Sequence, residues 1–112
     1  MLPKKNRIRE NVDFGVICRY GKTFSGKSLV LKVSENKLDL VRMGVSVGLK
    51  FSSKAVIRNR IKRQIRAFFC QNLEKIQSGR DFVVILGKGW DAQVNPGGEI
   101  KQILVKNSLF KE

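Results

Sequence analysis

The stretch from Phe51 to Leu73, FSSKAVIRNRIKRQIRAFFCQNL, limits the possible folds more than any other part of the chain. Six of its residues are cationic: Lys54, Arg58, Arg60, Lys62, Arg63 and Arg66. Between Asp39 and Glu74 there is no acidic residue, while Lys and Arg occur eight times, Arg42 and Lys50 being the other two. Yet Ile57, Ile61, Ile65 and Phe68 recur at helical spacing, within an arc of roughly 80°. Arg58, Lys62, Arg66 and Arg63 occupy an adjacent arc of roughly 140°, with Arg60 apart and Lys54 near the join. The spacing predicts an amphipathic helix, capped by Ser52 or Ser53, running to about Gln77 and ended by Gly79. A merely solvated helix would mix in glutamates for i, i+4 pairing. This one packs on a core and presents positive charge to a partner.

The partner class follows from the whole-chain charge. Twenty-three Lys and Arg against nine Asp and Glu give +14 over 112 residues, with a pI near 10.4. Such self-repulsion in a compact domain is offset when a polyanion neutralises it, nucleic acid first and an anionic membrane surface second. The membrane reading is the weaker, because the narrow apolar arc of the helix is needed for the core. No segment has transmembrane length and no signal-peptide run follows the N-terminus, so the cytoplasm is expected. The length fits one domain, residues 1–112.

Catalytic chemistry carried by side chains is not expected. The chain has no histidine, which removes the commonest general acid–base group and the usual serine and cysteine triads. Asp13, Asp39, Asp81 and Asp91 are scattered, and no glycine-rich phosphate loop with a Lys-Ser/Thr ending occurs. Cys18 and Cys70 lack zinc-ligand spacing and read as reduced, partly buried thiols. No catalytic residue, protein-borne metal site or small-molecule substrate is expected.

Around the basic helix the chain reads as an α+β domain. Residues 1–10 form a basic, flexible lead-in with Lys4, Lys5, Arg7 and Arg9, read equally well as a solvated tail or as an arm on phosphates. Asn11 to Tyr20 reads as a short helix with Asn11 as cap and Gly21 as stop; Phe14, Ile17 and Cys18 share one face. Lys22 to Lys27 reads as a loop, and Ser28 to Ser34 as a strand. In the extended region Leu38 to Leu49, Val41, Met43, Val45 and Val47 alternate with Arg42, Gly44, Ser46 and Gly48. The small residues leave room either for a ligand backbone or for a packed helix. Asp81 to Gly87 is a continuous apolar strand, buried on both faces, so strand, basic helix and strand form a βαβ unit. Trp90 is expected as a loop anchor. Asn95-Pro96 opens a last helix with Ile100, Ile103 and Leu104 on its apolar face, its first turn weakened by Gly97 and Gly98.

On these residues a resemblance rests. Arg58-Asn59-Arg60-Ile61-Lys62-Arg63, preceded by Lys54-Ala55-Val56 and followed by Ile65-Arg66, resembles the signature of the bacterial ribonuclease P protein subunit. Gly44-Val45-Ser46-Val47 with Lys50, the Asp13-Phe14 helix, the strands and the closing helix fall in that family's order, so the resemblance covers nearly the whole chain. It implies an αβββαβα arrangement like domain 2 of ribosomal protein S5, with a left-handed βαβ crossover that base rates would not suggest. It also implies a cofactor protein for a large catalytic RNA that removes the 5′ leader of precursor tRNA with magnesium ions, the RNA doing the chemistry. Lys50, Lys54, Arg58, Asn59, Arg60, Lys62, Arg63 and Arg66 are then contacts with the catalytic RNA. Phe14, Cys18, Lys32, Arg42 and Ser46 are then the cleft for the single-stranded leader, where Phe14 stacks on bases. Three residues depart from the family pattern: Cys18 and Lys32 stand where aromatics are frequent, and Leu49 replaces one of two successive lysines. The alternative is a small ribosomal or general RNA-binding protein of similar fold with no role in cleavage.

Overall fold

A computed structural model describes residues 2–8, 11–26, 29–48, 54–87 and 95–111, with the backbone alone for 11–13. The elements run α1 (Asn11–Tyr20), β1 (Lys22–Ser25), β2 (Leu29–Glu35), β3 (Val41–Val47), α2 (Ala55–Gln71), β4 (Arg80–Leu86) and α3 (Pro96–Lys106), after a single 3-10 turn at Lys4–Asn6. This is the expected αβββαβα order. The four strands form one mixed sheet in the order β1-β2-β4-β3.

The apolar run of β4 places it in the middle. It pairs antiparallel with β2, Leu31 facing Val84, and parallel with β3, Val45 facing Val84. A parallel pair cannot be joined by a tight turn, and α2 supplies the crossover. Strand alternation then sorts side chains into two faces. Leu29, Leu31, Val33, Val41, Met43, Phe82, Val84 and Leu86 form the core with Ile61, Ile65 and Phe69 of α2 and Ile100, Ile103 and Leu104 of α3. The opposite face carries Val30, Lys32, Arg42, Gly44, Ser46, Asp81, Val83 and Ile85, and α1 packs against β2 and β4 there. Both faces of β4 are therefore covered over Phe82 to Val84, as its unbroken hydrophobicity requires.

The structure departs from the sequence reading at three places. Lys22–Ser25, read as a loop, is an edge strand paired with β2 from Lys22↔Val33 to Ser25↔Val30. Three of its four residues are polar and exposed and only Phe24 turns to the core, too little alternation to read, as suits an edge that must not recruit other strands. The basic helix stops at Gln71 rather than Gln77. Asn72 takes over there: its Nδ2 donates to the Phe68 carbonyl at 2.7 Å and its backbone N–H donates to Phe69. The chain then turns so that Ile76, fully buried, bridges to Phe110, while Gly79, at φ 74°, leads into β4. Finally, the buried stripe of α2 is Ile61, Ile65 and Phe69, with Ile57 and Phe68 only half-buried. Phe69 meets Phe82 with ring centroids 5.8 Å apart, and Phe68 turns towards the start of α3.

That start is as expected: Asn95 Oδ1 accepts from the Gly97 N–H at 3.0 Å, and Pro96 sits in the first turn. Gly97 makes room for Phe68, since a Cβ there would lie 3.0 Å from its ring. The expected caps Ser52 and Ser53, the anchor Trp90, and Leu49 and Lys50 lie outside the described residues.

Candidate nucleic-acid interface

The core stripe of α2 fixes which of its cations face outward. Asn59, Arg60, Arg63, Arg66 and Lys54 are exposed, and Arg58 and Lys62 are half-buried along the edge of the stripe. The first turn of α2 holds no acidic residue. Cations near a helix N-terminus oppose the macrodipole, so this placement costs stability and favours an incoming anion. At such half-buried positions a long cationic side chain can lay its stem over apolar neighbours and keep its charged head at the surface. Asn59 adds a neutral donor and acceptor between two arginines, suited to a base edge or a 2′-hydroxyl. On the far flank of α2 a groove of about 710 Å³ runs towards α3, lined by Gln64, Gln71, Asn72 and Lys101. Charge is thus concentrated on the other flank.

The second half of the site lies on the α1 face of the sheet. Phe14 reaches across to β3, and a Cβ on Gly44 would stand 2.9 Å from its Cε2, so glycine there is what lets the ring approach the strand so closely. Of the two readings open for the small residues of β3, Gly44 thus fits room for a packed helix. Gly44, Val83 and Lys32 form one transverse row; Ser46, Ile85 and Val30 form the next. Val83 is fully buried, while Ile85, Val30 and Ser46 remain half-open. Cys18, a free half-buried thiol, follows Phe14 by one turn of α1. Lys32 is tethered: its Nζ donates to Thr23 Oγ1 at 2.6 Å on the neighbouring strand. The register thus puts Lys32 and Ser46 on the sheet face that α1 covers, with Phe14 and Cys18 on α1. Val30 and Ile85, absent from the sequence reading, are the half-open apolar residues of that face. In a strand buried over most of its length, composition alone did not mark Ile85 as the open position; the register did.

Arg42 lies on the same face but its charge is engaged elsewhere. Its Nε and one terminal nitrogen donate to the two carboxylate oxygens of Asp81 at 2.8 and 2.6 Å, in a bidentate cross-strand pair. Asp81 is only 4% exposed and also accepts from Asn36 Nδ2 at 2.7 Å.

The N-terminal residues join both halves. Ile8 N–H donates to the Met43 carbonyl at 3.0 Å and Asn6 Nδ2 to the Val41 carbonyl at 2.7 Å, which covers the outer edge of β3. Leu2 is 2% exposed and joins the core, so residues 2–8 are docked on the domain. Among the described residues no group of three or more Cys, Asp or Glu is placed to hold a metal ion, and no helix is long and apolar enough to cross a membrane.

An α+β domain with an acid-free cationic helix, and Phe14 on the neighbouring face of the sheet, fits the class of RNA-binding proteins. Comparison with known proteins identifies which one. The family model described as Ribonuclease P matches residues 2–105. The ribonuclease P protein component of Clostridium kluyveri is 38% identical over 109 residues, covering 94% of this chain and 96% of that protein. That of Clostridium botulinum strain 657 is 43% identical over 83 residues, 73% of this chain and 74% of its own. Among solved structures, the Staphylococcus aureus RNase P protein superposes with a TM-score of 0.83 at 29% identity, over 95% of this chain and 98% of that one. The Thermotoga maritima RNase P protein gives 0.71 at 30% identity, over 90% and 93%. The chain belongs to the ribonuclease P protein family and is a protein subunit of that tRNA-processing ribonuclease. The alternative of a ribosomal or general RNA-binding protein is not favoured.

Proposed function

We propose that α2 docks on the catalytic RNA of ribonuclease P while the cleft beside Phe14 holds the single-stranded 5′ leader of precursor tRNA. The observation that carries this division is the placement of charge: the cationic flank of α2 and the Phe14 cleft are neighbouring surfaces, met at Arg66. Contacts to the catalytic RNA then fall to Lys50, Lys54, Arg58, Asn59, Arg60, Lys62, Arg63 and Arg66. Leader contacts fall to Phe14, Cys18, Lys32 and Ser46, with Arg42 holding the sheet that carries them. The RNA subunit performs the hydrolysis and binds the magnesium ions; the protein adds affinity and positions the substrate. The assembly works in the cytoplasm, where precursor tRNA is made.

The test separates the two surfaces. In filter binding, Arg58→Glu or Arg63→Glu weakens assembly with the catalytic RNA, and Lys111→Glu does not; equal effects would remove α2 as the docking surface. Phe14→Ala weakens precursor tRNA and spares mature tRNA, and parallel loss of both would remove the leader cleft. Protein with magnesium and precursor tRNA but without the RNA subunit leaves the substrate intact. Cleavage there would instead make the protein a nuclease in its own right.

A further inference from the structure

A groove of about 520 Å³ opens at the end of the sheet where α1 passes into β1 and the C-terminal residues return past β2. Its base is apolar: Phe24, Val33 and Leu109 pack with the core, so the groove lies on the α2–α3 side of the sheet rather than under α1. Tyr20, the one tyrosine of the chain, lines it while 76% exposed. Lys22, exposed, and Arg80, half-buried, line it as well, and Arg19 is exposed in the last turn of α1. Glu35 is the one carboxylate among the described residues that line it. Its side chain is 83% exposed and stands 3.9 Å from an Arg80 nitrogen, a contact loose enough for a phosphate to replace. The walls are fixed before any ligand arrives. The Gly21 N–H donates to the Ile17 carbonyl at 2.9 Å, and a Cβ on Gly21 would lie 3.0 Å from the Val33 carbonyl oxygen, so the end of α1 is pinned on β2. On the C-terminal side, the Gln77 N–H donates to the Leu109 carbonyl and the Leu109 N–H to the Leu104 carbonyl, both at 2.8 Å.

We propose that this groove is a binding site for one unpaired nucleotide of RNA, its base stacked on Tyr20 and its phosphate held by Lys22 and Arg80. A lone exposed aromatic is ordinary on a protein surface. One set beside two cations, at a concavity within the roughly 300–1,000 Å³ of small-molecule sites, is a stacking platform with its phosphate contacts in place. The chain's charge of +14 makes a polyanion the natural occupant. The apolar base and the aromatic beside it favour a nucleotide over an acidic peptide, whose carboxylate side chains offer no ring to stack. The site rests on the reading of this protein's partners as RNA, and it adds a third contact surface to α2 and the Phe14 face.

Because Tyr20 is the one tyrosine, its ring signals in NMR report on this groove. Titrating the protein with a short single-stranded oligoribonucleotide should move them in a saturable way. Lys22→Gln should weaken that titration and lower its slope of log affinity against log salt by about 0.7, one single-strand phosphate contact. Phe14→Ala should leave it unchanged. In filter binding, Tyr20→Ala should weaken the RNA partner that supplies the nucleotide about tenfold, and Tyr20→Phe should restore it. Loss with the catalytic RNA supports the site and assigns the nucleotide to that RNA. Loss confined to precursor tRNA with a long leader supports it equally and assigns the nucleotide to the leader upstream of the Phe14 face. Tyr20 and Lys22 are exposed, so the variants keep the fold, which thermal unfolding checks. Ring signals that do not move, or that stop moving in Phe14→Ala, would overturn the site, and the second result would leave the Phe14 reading standing. Wild-type affinity of Tyr20→Ala for both RNAs would overturn it as well, without touching the effects of Arg63→Glu and Phe14→Ala.

Discussion

Arg42 offers the sharpest test of whether a basic residue on the α1 face of the sheet serves the fold or a ligand. Its fork is bound to Asp81 at 2.6 and 2.8 Å, and Asp81 is buried beside Asn36. Arg42→Ala would leave a desolvated carboxylate with one amide donor. Removing one partner of a fully buried pair costs about 3–5 kcal/mol. The Arg42 side chain is 20% exposed, so water replaces part of the lost solvation and about 2–4 kcal/mol is expected. On a domain whose total stability is roughly 5–15 kcal/mol, that is a large fraction. It lowers Tm by on the order of 10 °C. Urea unfolding of wild type, Arg42→Ala and the double variant Arg42→Met/Asp81→Leu measures it. The double variant should recover most of the loss, because it leaves no buried charge without a partner. A fall of less than about 1 kcal/mol in Arg42→Ala, the scale of a surface ion pair, accompanied by loss of precursor tRNA binding, would refute this account and make Arg42 a direct RNA contact.

Three further outcomes follow from the packing. Phe69→Ala, which empties a fully buried site against Phe82, should cost about 3–5 kcal/mol in denaturant unfolding, and Phe68→Ala clearly less, contrary to the simple helical stripe. Gly44→Ala places a methyl 2.9 Å from Phe14 Cε2 and should cost about 1–3 kcal/mol; by displacing the ring it should also reduce the preference for precursor over mature tRNA in a binding assay. Asn95→Ala removes the acceptor for the Gly97 N–H and should cost about 1 kcal/mol, read as a lower Tm with RNA affinity unchanged.

Much of this protein is legible where a residue's neighbours in sequence are also its neighbours in space. The amphipathic course of α2, the Asn95-Pro96 start of α3 and the alternation of β3 are set by local periodicity and capping, and they appear as read. The doubly buried course of β4 is legible for a related reason, since only cover on both sides rewards such a run. The family motif from Arg58 to Arg63 lies within a single helix, which is why the function was visible there.

What only the tertiary structure decided involves partners far apart in the chain. The mostly polar segment Lys22–Ser25 becomes a strand because β2 offers it a ladder, and α2 ends early because Asn72 competes for its carbonyls and Ile76 pairs with the C-terminal tail. Arg42 is drawn to Asp81 only because β3 and β4 run parallel in that register. The meeting of Lys4 and Arg7 with Arg66 depends on where the N-terminal residues lie along the edge of β3. Periodicity determines which face of an element is buried. Register and docking determine what that face meets, and they are chosen by the energy of the whole packed domain.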